Sequence, residues 1–368
     1  MSEGMDALQG VRPILRQDEL YNAPATCIVT GAAGLCGRRL VEMLAAAGAR
    51  KVVGFDRAPR PNELKIPSSC ELIWEQGDLA NADDVDRAIH GDADCVWHVG
   101  ALVGPYFKEE DYYRVNYEGT LNVISACRSK GVKKVVMSSS PSTRMNGTSI
   151  KWKREEDLEI LPPGKFLEPY AETKAMGEVA MRDACDGESF LTVAVAPHQV
   201  YGPHDGLFLT NFLKNARRLR VFGSGKNEIS MCYVDNYCHA LMLGERALYR
   251  GSPALGKFYI ATDGPPQNLW KVLDSAITAL TSSPSLFTRF SLPFWFIMPI
   301  AYIVKGVNIC CGTTMKLSPF VVRMLTIDRT FDIKNIESDL GYTPLHKFDE
   351  AWSSTLSWFD EHRSFWGG

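Results

Sequence analysis

The chain carries little excess charge of either sign. Its 368 residues include 40 lysines and arginines against 43 aspartates and glutamates, which gives a formal net charge of −3 at pH 7. Proteins that bind nucleic acid usually present a basic patch or block, and none stands out here. We therefore expect no nucleic-acid partner.

Cysteine pairs with metal-ligand spacing are also absent. The ten cysteines are scattered, and none forms a Cys-x-x-Cys pair. Several fall inside predicted strands and helices, as buried thiols in a reducing compartment do, so we expect neither disulfides nor a bound metal. Residues 1–22 lack the apolar core of a signal peptide, and we expect a cytoplasmic protein.

Repeats and low-complexity segments are absent as well, and from residue 25 onward strands and helices alternate. This order predicts an α/β fold, a Rossmann-type doubly wound parallel sheet with helices on both faces. We expect an N-terminal tail over residues 1–24, a Rossmann-type domain over 25–203 and a smaller, mainly helical lobe over 204–368. A later strand near 256–261 should return to the sheet.

Two segments close to the expected site have their own patterns. Residues 111–130 fit one long amphipathic helix. Residues 141–168 are polar and contain proline, which is typical of a loop. Residues 211–220 also read as helical.

The chain is organised around a strand that breaks into a glycine turn and opens a helix, Thr30–Gly37. Gly31 permits the tight turn, Gly34 lets a pyrophosphate approach the backbone, and Gly37 lets the helix lie close to its strand. The start of the helix then directs free amide groups and the positive end of its dipole at the phosphates. This pattern predicts a dinucleotide site.

A second strand ends in Asp56, about twenty residues after the glycine turn, where a carboxylate can accept hydrogen bonds from a ribose 2′-OH. Asp56 favours NAD because it would repel a 2′-phosphate, whereas Arg57 keeps NADP open. Asp78 could face the adenine, and the small residues after a fourth strand allow close approach of a cofactor. The expected cofactor contacts are Gly31, Ala33, Gly34, Leu35, Asp56, Asp78, Leu79, Gly100, Ala101, Asn116, Tyr170, Lys174 and Pro197.

Tyr170 and Lys174 lie one helical turn apart, on one face of a predicted helix. A tyrosine has a pKa near 10, but a nearby lysine cation together with the positive charge of an oxidised nicotinamide favours the phenolate. Tyr170 can then remove a hydroxyl proton while a hydride leaves the same carbon. Ser140 could hold the reacting oxygen, with Ser139 as the alternative. Asn116 could hold a proton-relay water or stabilise its helix.

Residues 292–304 form an apolar stretch interrupted by Pro293 and Pro299. One interpretation is a buried or pocket-lining helix. A second is a helix that dips into a bilayer interface, since Phe294, Trp295 and Tyr302 suit that region. A true membrane span is the third, for which the stretch is short.

Together these motifs resemble the extended short-chain dehydrogenase/reductases, and within them the 3β-hydroxysteroid dehydrogenase group that includes sterol-4α-carboxylate 3-dehydrogenases. The motifs that carry the resemblance are Thr30–Gly37, the acidic residue after the second strand, Gly77–Leu79, Trp97–Ala101, Val115–Thr120, Ser138–Ser142, Tyr170–Lys174, Pro197–Pro203, Tyr233–Asn236 and the apolar segment after residue 291. The resemblance implies Ser140, Tyr170 and Lys174 as the catalytic set, with Lys174 also on the nicotinamide ribose. Ala196 departs from the arginine that many members have there, and Cys36 replaces a more usual aromatic or aliphatic residue.

The function predicted in this way is NAD(P)-dependent oxidation of a 3β-hydroxyl on a hydrophobic, sterol-like substrate, with decarboxylation if the substrate carries a 4-carboxylate. A homodimer is expected, with peripheral membrane contact through residues 292–304 at the cytosolic face of the endoplasmic reticulum. The alternative is a nucleotide-sugar epimerase or dehydratase with tightly held NAD. It is disfavoured because Ile229–Cys232 offers no arginine for a diphosphate. A third hypothesis is an NAD(P)-binding regulator without turnover, although such proteins often lose the tyrosine or the lysine.

Overall fold

The computed structural model describes residues 21–104, 107–311 and 317–367, apart from the side chain of Ile309. The strands in these ranges are β1 (Thr26–Thr30), β2 (Lys51–Asp56), β3 (Glu71–Gln76), β4 (Cys95–His98), β5 (Lys134–Ser138), β6 (Ile150–Lys153), β7 (Leu191–Pro197), β8 (Val200–Tyr201), β9 (Glu228–Ile229), β10 (Cys232–Tyr233), β11 (Phe258–Ala261), β12 (Gln267–Asn268) and β13 (Arg329–Phe331).

The α-helices are α1 (Leu35–Ala46), α2 (Ala82–Ala88), α3 (Glu109–Tyr112), α4 (Gly119–Lys130), α5 (Pro169–Asp183), α6 (Leu209–Lys214), α7 (Val234–Arg246), α8 (Leu269–Leu280), α9 (Phe294–Cys311), α10 (Pro319–Met324), α11 (Lys334–Leu340), α12 (Phe348–Glu361) and α13 (Arg363–Trp366). A π-helical turn at Tyr113–Glu118 joins α3 to α4, and short 3₁₀ turns lie at Pro141–Arg144, Glu155–Asp157 and Leu286–Thr288.

Seven strands form a sheet in the order β11-β7-β5-β4-β1-β2-β3, and every neighbouring pair in it is parallel. Helices cover both faces of the sheet, so its inner strands are buried and largely apolar, and every residue of β1 is buried. The strand order reverses between β1 and β4, so the carboxyl ends of these two strands border a crevice of the kind that holds ligands in such sheets. The predicted Rossmann-type fold is confirmed.

The strand expected near residues 256–261 is β11, which lies at the sheet edge in register with β7, Phe258 opposite Ala194. A smaller sheet, in the order β12-β9-β13-β6, lies outside the central one. It joins residues from both sides of the boundary expected near position 203, because β6 pairs with β13.

Three local predictions were wrong in detail. The expected loop over 141–168 contains β6, whose partner β13 lies far along the chain and leaves no local pattern. The single helix expected over 111–130 is interrupted by the π-helical turn, inside which Asn116 is buried. The helix expected over 211–220 ends at Lys214.

Helix α9 occupies most of the apolar stretch 292–304 and is only half covered. Ile297, Met298 and Ala301 are buried against neighbours that include Val322. The opposite face is exposed, with Trp295 at 75% and Ile303 at 65% of full exposure. The wholly buried helix of the first interpretation is therefore excluded. Nowhere in the described ranges does a helix combine the length and apolar character needed to cross a bilayer.

Candidate active site

The glycine turn after β1 leaves no room for a side chain at its first glycine. Gly31 has a φ of +69°, and a Cβ there would lie 2.5 Å from the Cα of Gly100. A Cβ on Gly37 would lie 2.0 Å from the carbonyl oxygen of Gly31, so α1 packs directly against the turn. Gly34 stands at the N-terminus of α1 without a side-chain cap. The open amide groups of a twelve-residue helix and a side-chain-free turn fit a pyrophosphate.

Asp56 ends β2 beside this turn. Its carboxylate accepts hydrogen bonds from the backbone N–H groups of Ala33 and Ala58, each at 2.9 Å. The side chain predicted to bind a ribose therefore also braces the glycine turn, a role that sequence reasoning missed.

His98, at the end of β4, links the end of β1 to α4. Its Nδ1 lies 2.9 Å from the Thr30 hydroxyl and its Nε2 lies 3.0 Å from the Thr120 hydroxyl. The Thr30 hydroxyl also accepts a hydrogen bond from the N–H of Gly100 at 3.1 Å. Burial, with a contribution from the charge of Lys174, lowers the pKa of His98 to about 3, so the ring is neutral at pH 7.

Asn116 fixes the loop that carries Gly100 and Ala101. Its side-chain carbonyl accepts the N–H of Leu102 at 2.8 Å, and its amide donates to the Leu102 carbonyl at 3.1 Å. The same amide lies 3.3 Å from the Thr173 hydroxyl on α5. The side chain therefore braces this loop and α5. Its proposed role in holding a relay water stays a prediction.

The other expected adenine-side contacts lie just after β3. Asp78 is half-buried and receives the N–H of Ala80 on its side chain at 3.0 Å, while its own N–H bonds to Asp84 at 3.0 Å. Leu79 is buried, and its carbonyl accepts the side-chain amide of Asn122 at 2.9 Å. The backbone at this position is held in place by α2 and α4.

The two candidate serines after β5 have different surroundings. Ser139 is buried and donates its hydroxyl to the Glu178 carboxylate at 2.7 Å. Ser140 begins the next 3₁₀ turn, and its hydroxyl lies 2.8 Å from that of Ser142. Ser140 also acts to lower the pKa of the Tyr170 phenol. Because the Ser139 hydroxyl is taken up by Glu178, Ser140 is the better candidate partner of the phenol.

Tyr170, in the first turn of α5, has its ring 6.2 Å from that of Tyr112. Burial raises its pKa to about 12, against the opposing effect of the hydrogen bond from Ser140. In the protein alone the phenol therefore stays protonated at pH 7. The expected lowering depended on two positive charges, of which the protein supplies only Lys174.

Lys174 is buried, and its ammonium donates to the Ser138 carbonyl at 2.7 Å. Burial lowers its pKa to about 8, partly offset by Glu178. The Ser138 hydroxyl lies 2.7 Å from that of Tyr237 on α7, which holds the end of β5 from the other side. A cation of fixed position thus lies one turn beyond the phenol.

Helix α5, which carries Tyr170 and Lys174, also takes part in a buried ion pair that sequence reasoning missed. Arg144 and Glu178 face each other through two hydrogen bonds, of 2.6 and 2.9 Å. The guanidinium also stacks on the ring of Phe258, 3.4 Å from its centroid. Arg182 adds a longer contact at 3.2 Å. Charge patterning alone gives no signal for this pairing, because the residues are 34 positions apart.

A second missed group surrounds the loop after β7. His198 follows Pro197, and its Nδ1 lies 2.7 Å from the Ser230 carbonyl. Its Nε2 lies 3.2 Å from Nη1 of Arg329 on β13. Burial lowers the pKa of His198 to about 3. The loop expected to contact the nicotinamide is thus anchored to the smaller sheet.

The carboxyl edge of the sheet therefore gathers the glycine turn, the Asn116 loop, Ser140, Tyr170, Lys174 and the Pro197 loop. A hydroxyl group bound beside Ser140 and Tyr170 would meet one hydrogen-bonding serine and one phenol, with a cation behind them. This arrangement suits proton exchange at an alcohol or ketone oxygen coupled to hydride transfer.

The sequence comparisons point to one family of oxidoreductases. The model of the 3-beta hydroxysteroid dehydrogenase/isomerase family matches residues 28–288. A 3beta-hydroxysteroid-dehydrogenase/decarboxylase of Arabidopsis thaliana is 32% identical, over 93% of this chain and 81% of its own. The human sterol-4-alpha-carboxylate 3-dehydrogenase (decarboxylating) is 29% identical, over 92% and 89% of the two chains. A 2-alkyl-3-oxoalkanoate reductase of Stenotrophomonas maltophilia is 33% identical, over 88% and 96%.

Solved structures with similar backbones are more distant in sequence and show the fold alone. An epimerase of Methanothermobacter thermautotrophicus has a TM-score of 0.73 at 22% identity, over 94% of this chain and 95% of its own. A dTDP-glucose 4,6-dehydratase of Streptomyces venezuelae, solved with NAD, has a TM-score of 0.70 at 20% identity, over 93% and 98%. The chain therefore belongs to the 3-beta hydroxysteroid dehydrogenase/isomerase family, and the predictions of an NAD(P)-linked oxidoreductase with a Rossmann-type fold are confirmed.

Proposed function

We propose that this protein oxidises a secondary 3β-hydroxyl group on a hydrophobic, sterol-like substrate with NAD as acceptor. The observation that carries the proposal is the buried ammonium of Lys174, one helical turn beyond Tyr170, which donates to the carbonyl of Ser138 at the strand end that leads into Ser140. Membership of the family supports the reaction class, and the names of the relatives support the substrate class.

The three side chains divide the work at the reacting oxygen. Ser140 donates a hydrogen bond to the substrate oxygen and holds it beside the phenol. Tyr170, as phenolate, takes the hydroxyl proton, and Lys174 stabilises the negative charge on that side of the site. The nicotinamide, when bound, supplies the acceptor for the hydride that leaves the carbinol carbon. The neutral phenol of the protein alone suits the reverse reaction, in which Tyr170 gives its proton to a ketone oxygen.

A 4-carboxylate on the substrate would add decarboxylation. Oxidation at C3 then gives a β-keto acid, and the bond between C4 and the carboxylate breaks. CO₂ leaves, the electron pair of that bond passes into the enolate of the new ketone, and a proton returns to C4. Ser140 and Tyr170 can hydrogen-bond the enolate oxygen in the position that they use for the alcohol.

The preference for NAD follows from Asp56. A 2′-phosphate placed at the end of β2 would meet its carboxylate, while a ribose 2′-OH can donate to it. The backbone hydrogen bonds from Ala33 and Ala58 hold that carboxylate beside the glycine turn.

The exposed face of α9 supports the proposed membrane contact. Trp295 and Ile303 project away from the buried residues of the helix, and Phe294 and Tyr302 at the border of the buried face are also exposed; aromatic side chains of this kind suit the headgroup region. We propose that this face rests on the cytosolic leaflet of the endoplasmic reticulum, where sterols would enter. Co-sedimentation with liposomes, with Trp295→Ser as the variant, tests it. A homodimer stays a prediction for sedimentation equilibrium.

The nucleotide-sugar alternative has weaker support. The backbone similarity to epimerases and dehydratases lies below 25% identity and carries the fold alone. The buried stretch Ile229–Cys232 offers no arginine, whereas those enzymes commonly have one just before the equivalent of Tyr233. Retention of NAD through denaturing extraction, together with binding of a UDP-sugar, would favour it. If the protein were a regulator without turnover, wild type and Tyr170→Phe would give the same result in every assay.

The decisive experiment incubates the full chain with NAD and a panel of 3β-hydroxysterols, with and without a 4α-carboxylate, while NADH fluorescence is followed. We expect NADH from at least one sterol and a loss of about 10²–10⁴-fold in Tyr170→Phe. Tyr112→Phe is the matched control, since it removes a neighbouring phenol and should keep most activity. No NADH from any sterol would refute the proposal.

A further inference from the structure

Arg329 is a buried cation that has no anionic partner among the described residues. Its residue is 7% exposed. Nη1 lies 3.2 Å from Nε2 of His198, and Nη2 donates to the Met324 carbonyl at 3.0 Å. The buried Nε–H finds no acceptor among the described residues. Among the described residues, no carboxylate oxygen lies within 4.0 Å of the Arg329 guanidinium, the distance that would make an ion pair.

The partner ring leaves this positive charge uncompensated. The Ser230 carbonyl can only accept, so Nδ1 of His198 carries the proton and Nε2 accepts from Arg329. The ring is therefore neutral, in agreement with its lowered pKa. Burial lowers the pKa of Arg329 to about 10, which still leaves the guanidinium charged at pH 7. Buried charges are normally paired because desolvation is costly.

Two other well-buried arginines show the usual arrangement. Arg144 faces Glu178 through two hydrogen bonds, and Arg39 faces Asp235 in the same way at 2.8 and 3.0 Å. The Nε–H of Arg144 also lacks an acceptor among the described residues, so Arg329 departs from both arginines through its lack of a described carboxylate partner. A buried arginine that has neutral partners and a free N–H is suited to an anion brought by a ligand.

Strand pairing and the contact with His198 place Arg329 near the carboxyl edge of the central sheet. β13 pairs with β6, which lies in the segment between Ser140 and Tyr170. His198 directly follows Pro197, the end of β7, and β7 neighbours the strand that ends at Ser138. Arg329 is also the register partner of Ile229 on β9. Arg329 therefore lies beside the stretch Ile229–Cys232, which has no arginine of its own.

We propose that Arg329, oriented by His198, binds the carboxylate of the substrate and so selects β-hydroxy or β-keto acids over neutral alcohols. The inference rests on the proposed function and adds the specificity-determining residue to it. The names of two relatives share this chemistry: a sterol 4-alpha-carboxylate and a 2-alkyl-3-oxoalkanoate both carry a carboxylate one carbon away from the reacting centre. The carboxylate would supply the missing counter-charge and an acceptor for the free Nε–H.

The test compares two substrates that differ only in this group, a 3β-hydroxysterol 4α-carboxylic acid and its methyl ester, with the NAD-loaded full chain. For Arg329→Met we expect kcat/KM to fall about 10²–10³-fold for the acid and less than about threefold for the ester. Arg329→Lys should recover part of the activity on the acid because it restores the charge. An equal loss on both substrates would show that the residue is structural and would overturn the inference.

Arg144→Met is the matched control, since it removes another buried arginine near the site. It should lower activity on acid and ester alike. If Arg329→Met is too unstable for kinetics, thermal stability is measured instead. The rise in Tm on addition of saturating acid or ester is then compared between wild type and Arg329→Lys. The acid should stabilise wild type more than the ester does, and this excess should shrink in Arg329→Lys. An equal excess in the two proteins would overturn the inference.

Two further outcomes separate the proposals. Stabilisation of wild type by UDP-glucose that Arg329→Met abolishes would assign the guanidinium to a diphosphate and overturn the carboxylate. Oxidation of acid and ester with the same kcat/KM by wild type would overturn this inference, while the proposed sterol oxidation would stand. If neither sterol is oxidised, the proposed function fails and the inference fails with it.

Discussion

Substitution of Glu178 by glutamine should cost the protein a large part of its stability. Glu178 is fully buried and accepts hydrogen bonds from Ser139 and twice from Arg144, at 2.7, 2.9 and 2.6 Å. Glutamine keeps the shape but removes the charge and turns one acceptor oxygen into a donor. That donor would face the guanidinium or the serine hydroxyl, and Arg144 would be left as an unpaired buried cation.

The size of the effect follows from this geometry. Removal of one partner of a buried, hydrogen-bonded ion pair costs about 3–5 kcal/mol, because the remaining charge stays desolvated. The contact between Arg182 and Glu178 adds little, since the Arg182 side chain is 31% exposed and the contact is longer, at 3.2 Å. A domain is typically stable by about 5–15 kcal/mol, so the loss is about a fifth or more of the total. Tm should fall by about 4–7 °C, because the entropy of unfolding grows with chain length.

Equilibrium unfolding in urea, followed by tryptophan fluorescence, measures the change in the free energy of unfolding. Asp86→Asn is the control, since its pair with Lys130 has a similar length of 2.9 Å but lies half-exposed. We expect that control to change stability by less than about 1 kcal/mol. The double variant Arg144→Met/Glu178→Leu removes both charges and should be more stable than either single variant.

Two results would refute this reasoning. A loss below about 1 kcal/mol in Glu178→Gln would mean that the pair is effectively solvated. A double variant no more stable than the single ones would mean that packing, and not the unpaired charge, sets the cost. Either result would also remove the physical reason for treating Arg329 as an unusual buried cation.

Ser140→Ala should lower kcat about 10²–10³-fold with little effect on stability. Ser139→Ala should instead lose about 1–3 kcal/mol of stability, because it removes a hydrogen-bond donor from Glu178. Kinetics and urea unfolding of both variants check this, and the reverse pattern would exchange the roles of the two serines. Gly31→Ala should abolish NAD binding in calorimetry, or folding altogether, since its Cβ would lie 2.5 Å from the Cα of Gly100; an alanine variant with wild-type affinity would contradict the described turn. His98, His198 and His239 have pKa values lowered to about 3, 3 and 4, so they take up protons only on unfolding between those values and 6.5. The free energy of unfolding should therefore fall as the pH drops below 6.5, by up to about 1.4 kcal/mol per pH unit for each histidine; urea unfolding at pH 7 and pH 5 checks the fall, and His98→Gln should have a shallower dependence than wild type.

Local chemistry was enough to predict the framework of the site. A tight turn needs a residue that tolerates positive φ, which makes Gly31 readable from its neighbours alone. The alternation of apolar strands with amphipathic helices has only a few architectures that bury both faces of a sheet, and the parallel sheet followed from that. Tyr170 and Lys174 share a helical face because four residues make about one turn. Each of these conclusions depends on residues close together in the chain.

The rest was decided by contacts between distant residues. The choice of Ser140 over Ser139 depends on Glu178, which reaches across from α5 to take the Ser139 hydroxyl. β6 exists because β13 supplies its hydrogen-bond partners from nearly 180 positions away, and no propensity within residues 141–168 could announce it. The uncompensated charge of Arg329 is visible only when three-dimensional packing has excluded every described carboxylate from its surroundings. Hydrogen bonding and desolvation act through space, so these features became readable only once the chain was folded.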